Sequence, residues 1–173
     1  LDIPASVENI ESYAFEDAVN LKKVFFHQGS RLEGIGYRAF RDCSNLKRIN
    51  FPASLKIIGM QAFEKSGLKK LIFNKESRIE VIGYYVFSSC QKLKVVRLPP
   101  SVTEIGQSAF MYSVLEKVIF RKGSELETIG LDAFAYSELK TINIPPGVEI
   151  KGSAFEDTGC SEDIFTPGAT IVD

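Results

Sequence analysis

One spacing recurs along the chain with almost no change: an apolar residue, an isoleucine three positions on, and an Ala-Phe pair four positions after that. The copies are Val7-Ile10-Ala14-Phe15, Leu32-Ile35-Ala39-Phe40, Leu55-Ile58-Ala62-Phe63, Ile79-Ile82-Val86-Phe87, Val102-Ile105-Ala109-Phe110 and Leu126-Ile129-Ala133-Phe134. A seventh, Val148-Ile150-Ala154-Phe155, is shorter by one residue. Between the copies lies a second block, a leucine followed by apolar residues three and five positions on: Leu21-Val24-Phe26, Leu46-Ile49-Phe51, Leu68-Leu71-Phe73, Leu93-Val96-Leu98, Leu115-Val118-Phe120 and Leu139-Ile142-Ile144. From Phe15 to Phe155 the phenylalanines step by 25, 23, 24, 23, 24 and 21 residues. Apolar positions held in constant phase at a period near 24 describe one small unit stacked many times, each copy burying its apolar edge on its neighbours.

Length varies only at the joints. The joint leaving the second block alternates between four residues (Ile3 to Val7, Phe51 to Leu55, Leu98 to Val102, Ile144 to Val148) and six (Phe26 to Leu32, Phe73 to Ile79, Phe120 to Leu126). The true repeat is therefore a pair of coils. Proline enters each short joint, where it ends a strand by removing a ladder donor and fixing φ. The second block alternates apolar residues among β-branched and aromatic neighbours and is read as a strand, its copies stacking in parallel at about 4.8 Å. Glycine follows the isoleucine of the first block at Gly36, Gly59, Gly83, Gly106 and Gly130, which predicts a bend or a close approach. The Ala-Phe segment has room for one helical turn, and its phenylalanines should form a stacked ladder.

These residues resemble the BspA-type leucine-rich repeats of bacterial and protist surface proteins. The match is clearest in Leu98-Pro99-Pro100-Ser101-Val102, Ile105-Gly106 and Ala109-Phe110, and in Phe87, Cys90 and Leu93. The resemblance implies an α/β-type solenoid, mostly β: a right-handed superhelix of about six full coils plus a degenerate seventh, with a parallel sheet on its concave face. It implies a single domain over 1–173, regular over 1–158, with 159–173 a degenerate terminal coil or cap. It also implies an exported protein at the cell surface that adheres to a host or neighbouring-cell protein or to extracellular matrix.

At the C-terminus Cys160 takes the strand leucine's phase, Asp163 that of a buried isoleucine and Phe165 the last apolar place; a buried carboxylate is costly, hence the expected cap. At the other end Leu1-Asp2-Ile3 reads as the close of a preceding strand with no cap before it, so a fragment of a longer array, or a processed chain, is expected.

Candidate site residues follow from the strand phase. Two positions after each strand leucine stand Lys23, Arg48, Lys70, Val95, Lys117 and Thr141; four positions after it stand Phe25, Asn50, Ile72, Arg97, Ile119 and Asn143. Both columns should project outward from the concave face and form the partner-binding surface. Lys22, Lys47, Lys69, Lys94, Glu116 and Lys140 run along the rim, so ten of the 21 basic residues lie in three columns against a single acid. With a net charge of −1 overall, the acids must gather elsewhere, and Glu8, Glu33, Glu80, Glu104 and Glu127 stand in the first block. An acidic protein partner fits such a stripe; an acidic glycan is the alternative, and a purely structural spacer is another. Near-neutral charge argues against a general nucleic-acid binder, and no apolar run is long enough to span a membrane.

Phe25, Ile72 and Ile119 all precede long joints and either anchor a partner or lie under the joint that follows. Tyr37, Met60, Tyr84 and Leu131 form a second, convex candidate, while the six tyrosines are expected to cover the core in part. Cys43 and Cys90 occupy a small-residue column two coils apart, too far for a disulfide, and are expected as buried free thiols. No catalytic, cofactor or metal motif emerges: Gly34-Ile35-Gly36 lacks the third glycine of a nucleotide loop, and His27 has no partner at a useful spacing. The expectation is a monomeric, non-enzymatic binding module.

Overall fold

The computed structural model describes residues 1–160 and a strand at Thr170–Val172. The second block folds as predicted into strands: β1 (Asp2–Ile3), β3 (Lys23–Phe26), β5 (Arg48–Phe51), β7 (Lys70–Phe73), β9 (Val95–Leu98), β11 (Lys117–Phe120) and β13 (Thr141–Ile142). They stack in chain order into one parallel seven-stranded sheet. The isoleucine of the first block also sits in a short strand, too brief to show a period in the sequence: β2 (Asn9–Ile10), β4 (Gly34–Ile35), β6 (Ile57–Ile58), β8 (Val81–Ile82), β10 (Glu104–Ile105), β12 (Thr128–Ile129) and β14 (Glu149–Lys151). These make a three-stranded sheet, β2-β4-β6, and a five-stranded one that runs from β8 to β14 and ends on β15 (Thr170–Val172). The chain is a parallel-strand β-solenoid.

A single core runs the length of the stack. Phe40, Phe63, Phe87, Phe110 and Phe134 have no exposed surface, and neighbouring rings stack at 5.1–5.6 Å between centroids from Phe15 to Phe155. The aromatic ladder is as expected. The glycines explain themselves by packing: a Cβ on Gly59 would lie 2.8 Å from the backbone of Gly36, and one on Gly130 2.8 Å from the amide of Gln107. The coils are in backbone contact there, and no side chain fits between them.

The expected helical turn does not form; among the described residues there is no helix. Around each phenylalanine the backbone alternates instead. The amides of Tyr13, Phe15 and Asp17 donate across to the carbonyls of Tyr37, Ala39 and Arg41 on the next coil, while those of Ala14, Glu16 and Ala18 donate three residues back. Half of the amides are thus turned along the stack, which a helix would not allow. The geometry needs a left-handed residue two before and two after the phenylalanine, and non-glycine residues fill both places: Arg38 and Asp42, Gln61 and Lys65, Tyr85 and Ser89. Each costs roughly 1–2 kcal/mol, offset by inter-coil hydrogen bonds.

The joints are tied by serine. Ser54 Oγ lies 2.8 Å from the carbonyl of Leu32 and 2.9 Å from that of Ser30 on the coil before, and Ser101 repeats this with Ile79 and Ser77. Joint length also controls strand pairing. Where a short-exit strand precedes a long-exit one the ladder runs to the end, with four rungs for β5–β7 and for β9–β11. Where a long-exit strand comes first it stops early, at two rungs for β3–β5, one for β7–β9 and two for β11–β13. Two additional residues must leave beside a four-residue exit, and the strands part at that end.

At the C-terminus, Cys160 packs partly against the core, with its thiol donating to Leu139 O at 3.1 Å. Asp163 and Phe165 lie outside the described residues. Strand β15 pairs Ile150 with Ile171. The sequence carries a signal for it: Phe165-Thr166-Pro167-Gly168-Ala169-Thr170-Ile171 keeps the spacing of Ile144-Pro145-Pro146-Gly147-Val148-Glu149-Ile150.

Two substitutions test this account. Phe87→Ala removes a fully buried ring from the middle of the ladder and should cost about 3–5 kcal/mol, seen as a lower urea midpoint; Phe25→Ala, on an exposed ring, should shift it by less than about 0.5 kcal/mol. At Lys65, exposed with φ of 54°, valine should destabilise by about 1–2 kcal/mol and glycine should not; thermal melts separate the two.

Candidate functional site: the long-strand face

The long strands alternate cleanly, because side chains point to opposite faces with a period of two. On β7, Leu71 and Phe73 face the core while Lys70 and Ile72 face out. Register then carries the first column across the molecule through Lys23↔Arg48, Arg48↔Lys70, Lys70↔Val95, Val95↔Lys117 and Lys117↔Thr141. The second column is joined at Asn50↔Ile72 and Arg97↔Ile119. Of the twelve residues singled out, Lys23, Phe25, Arg48, Asn50, Lys70, Ile72, Val95, Arg97, Lys117, Thr141 and Asn143 are exposed; Ile119 is half-buried. Phe25 is 52% and Ile72 42% exposed, so the long joints do not fold over them.

The face is basic with little internal compensation. Lys94 pairs with Glu116, and this hydrogen-bonded contact raises the lysine's pKa and lowers the carboxylate's. It is the sole ion pair of the three columns among the described residues. The first-block acids lie along the short strands, where Glu8 meets Arg31 at 3.3 Å and Glu33 meets Lys56 at 2.7 Å. The first-block acids thus have basic partners of their own, and the lysines and arginines of the long-strand columns are left largely uncompensated.

Two cavities open on this face, and they are related by the repeat. The smaller, about 350 Å³, is bounded by Lys23, Val24 and Phe25 of β3 and by Lys47, Arg48 and Asn50 at β5. The larger, about 740 Å³, takes the equivalent places two coils on: Lys70, Leu71 and Ile72 of β7 with Lys94, Val95 and Arg97 at β9. Lys69 and Lys70 border both. Each cavity sits where a long-exit strand parts from its successor.

Other polar groups serve the stack. Cys43 and Cys90 are free and buried, their thiols donating to the carbonyls of Phe15 and Phe63 on the coil before. Burial pushes the Cys43 thiol up to about 11 and the Cys90 thiol up to about 12. Arg41 bridges three coils, meeting Glu16 at 3.1 Å and Glu64 at 3.0 Å, and its hydrogen bond to Glu16 leads in raising its pKa. Sequence phase could have revealed that bridge, since Glu16, Arg41 and Glu64 all directly follow a ladder phenylalanine. The tyrosines depart from expectation. Tyr37 and Tyr85 are half-buried, but Tyr13, Tyr84, Tyr112 and Tyr136 are exposed, Tyr112 stacking on Tyr136 at 4.9 Å. Of the convex candidates, Met60, Tyr84 and Leu131 are exposed, while Tyr37 lies edge-on to Tyr13 at 5.1 Å. Among the described residues, no group of His, Cys, Asp and Glu is placed to hold a metal ion, and no helix is long and apolar enough to cross a membrane.

The repeat pattern matches the family described as BspA type Leucine rich repeat region, in six copies over residues 1–80 and 58–171. The chain belongs to the BspA-type leucine-rich-repeat family. Among solved structures of such repeats, the pneumococcal vaccine antigen PcpA is 28% identical with a TM-score of 0.71, over 86% of this chain and 46% of that one. The Treponema pallidum leucine-rich-repeat protein is 26% identical with a TM-score of 0.69, over 95% of this chain and 78% of that one. A leucine-rich cell surface protein from Faecalibacterium prausnitzii shares the fold at 24% identity and a TM-score of 0.58, over 98% of this chain and 38% of that one. This chain therefore spans just under half of the pneumococcal antigen and less of the Faecalibacterium protein. No curated protein matches its sequence at a significant level.

The buried thiols of this repeat array give a direct test. In the native state a disulfide reagent at neutral pH should label Cys160 alone, with Cys43 and Cys90 reacting only on denaturation. Because the folded thiols stay protonated above the ordinary value of 9.0, their contribution to stability is intact below pH 9. It should fall as pH rises toward 11 and 12, read as a declining melting temperature.

Proposed function

We propose that this chain is a non-catalytic protein-interaction module that binds a protein partner through the long-strand face, displayed on a bacterial cell surface. Leucine-rich-repeat proteins of this family are generally interaction or adhesion modules and generally not enzymes. The observation that carries the reading is the face itself: a column of lysine and arginine in continuous register, with exposed Phe25, Ile72 and Val95 around two cavities, and with Glu116 and Glu138 as the acids beside it. Such a surface accelerates encounter with an acidic partner, and its apolar entries hold what has docked. Ring spacings of 5.1–5.6 Å on the turn side, against about 4.8 Å between strands, support a stack that curves toward this face and makes it concave.

Charge reversal tests the reading. With Lys23, Arg48, Lys70 and Lys117 all changed to glutamate, binding to immobilised extracellular-matrix proteins in surface plasmon resonance should weaken at least tenfold, chiefly through slower association. Unchanged capture would point to a spacer. Loss of salt-sensitive heparin retention, with protein capture intact, would point to an acidic glycan as ligand.

A further inference from the structure

The alternation of joint lengths has cut this face into notches with a fixed pitch. At β3/β5, β7/β9 and β11/β13 the ladder ends before the outer half of the strands. Beside each opening stands an apolar residue, Phe25, Ile72 or Ile119, opposite a polar one, Asn50, Arg97 or Asn143. The openings repeat every second coil, about 9.6 Å apart at a strand spacing of about 4.8 Å. A parallel row of lysines, Lys23, Lys70 and Lys117, stands one side-chain interval away on the same three strands and so shares this pitch.

A ligand lying across the strands must present an apolar ridge and an acidic ridge side by side, each repeating at that pitch. Conformation decides which peptide can do so. Polyproline II advances about 3.1 Å per residue with three residues per turn, so residues i and i+3 share a ridge at about 9.3 Å, and i+1 with i+4 form the adjacent ridge. An α-helix repeats a face every two turns, about 10.8 Å, and drifts by about 2.4 Å over three notches. In an extended strand, residues i and i+3 face opposite ways. A sulfated glycan would satisfy the lysines but offers no alkyl ridge to Ile72 and Val95, which border the larger cavity.

We propose, building on the protein-binding reading above, that this face recognises an acidic polyproline-II segment with a three-residue repeat. One apolar side chain enters each notch, and the following carboxylate lies over the lysine row. The six-residue joint is what makes the site, because it parts the strands beside Phe25 and Ile72.

Three synthetic peptides of one length provide the test: one repeating Pro-Leu-Glu, one repeating the four-residue unit Pro-Leu-Glu-Pro, and one a scramble of the first. Calorimetric titration of the intact chain should show the three-residue repeat binding at least tenfold more tightly than either control. Changing Phe25 and Ile72 together to aspartate should remove that preference. Both are exposed, so the melting temperature should not move, and Phe25→Leu with Ile72→Leu should retain the preference.

Equal affinity for all three peptides would overturn the proposal while leaving the protein-binding reading standing, because the charge-reversal experiment examines that reading separately. Tighter binding of heparin than of the repeat peptide, indifferent to the Phe25 and Ile72 changes, would overturn it in favour of a glycan. Concentration-dependent dimerisation abolished by the same two changes would show the notches to be covered by a second copy of the chain, and would equally overturn it.

Discussion

Registry between coils, enforced by backbone hydrogen bonds at the phenylalanine turn, is the constraint on which everything else rests. Every second amide there leaves its own coil for the next, so a coil cannot slide or rotate without breaking three bonds at once. Stacked rings fill the space behind those bonds, and glycines bring the neighbouring backbone into contact. Because the turn side is locked, the strands on the other side have no freedom of phase, and their outward residues fall into rows. The basic face is thus a consequence of how the opposite side is held.

That division also separates stabilising from functional chemistry. Buried polar groups, such as the thiols of Cys43 and Cys90 and the hydroxyl of Ser66, serve inter-coil contacts in a small-residue column. The half-buried Arg41 cluster spans three coils on the turn side. The exposed charges of the long-strand face carry no such duty apart from Lys94 with Glu116, and they can change with small effect on folding. A surface free of structural duties can be tuned to a ligand.

Most of this was legible in the amino-acid order. Constant spacing gave the stacked coils, the phenylalanine ladder and the outward columns, since a period-two strand leaves no choice about which residues face out. Three things were not legible. The Ala-Phe segment looked helical because compact turns and a helical turn share their apolar spacing; only the left-handed backbone at Arg38, Asp42 and their equivalents distinguishes them, and non-glycine residues give no sign of it. The short strands at the isoleucines are two or three residues long, too brief for a periodic signal. The truncated ladders depend on how a six-residue exit passes a four-residue one, a three-dimensional clash that neither joint reveals alone. The last coil, by contrast, is legible in the sequence: Ile171 repeats the place of Ile150.

Alternating joints give the array a parity. Gaining or losing one coil would set two long exits, or two short ones, side by side, and the serine contacts that bind unlike neighbours would lose their partners. Growth by duplication is therefore favoured in doublets, each contributing one more opening at unchanged pitch. Avidity for a repetitive ligand would climb stepwise with doublet number, so lineages could adjust grip by copying whole doublets without altering a single contact residue.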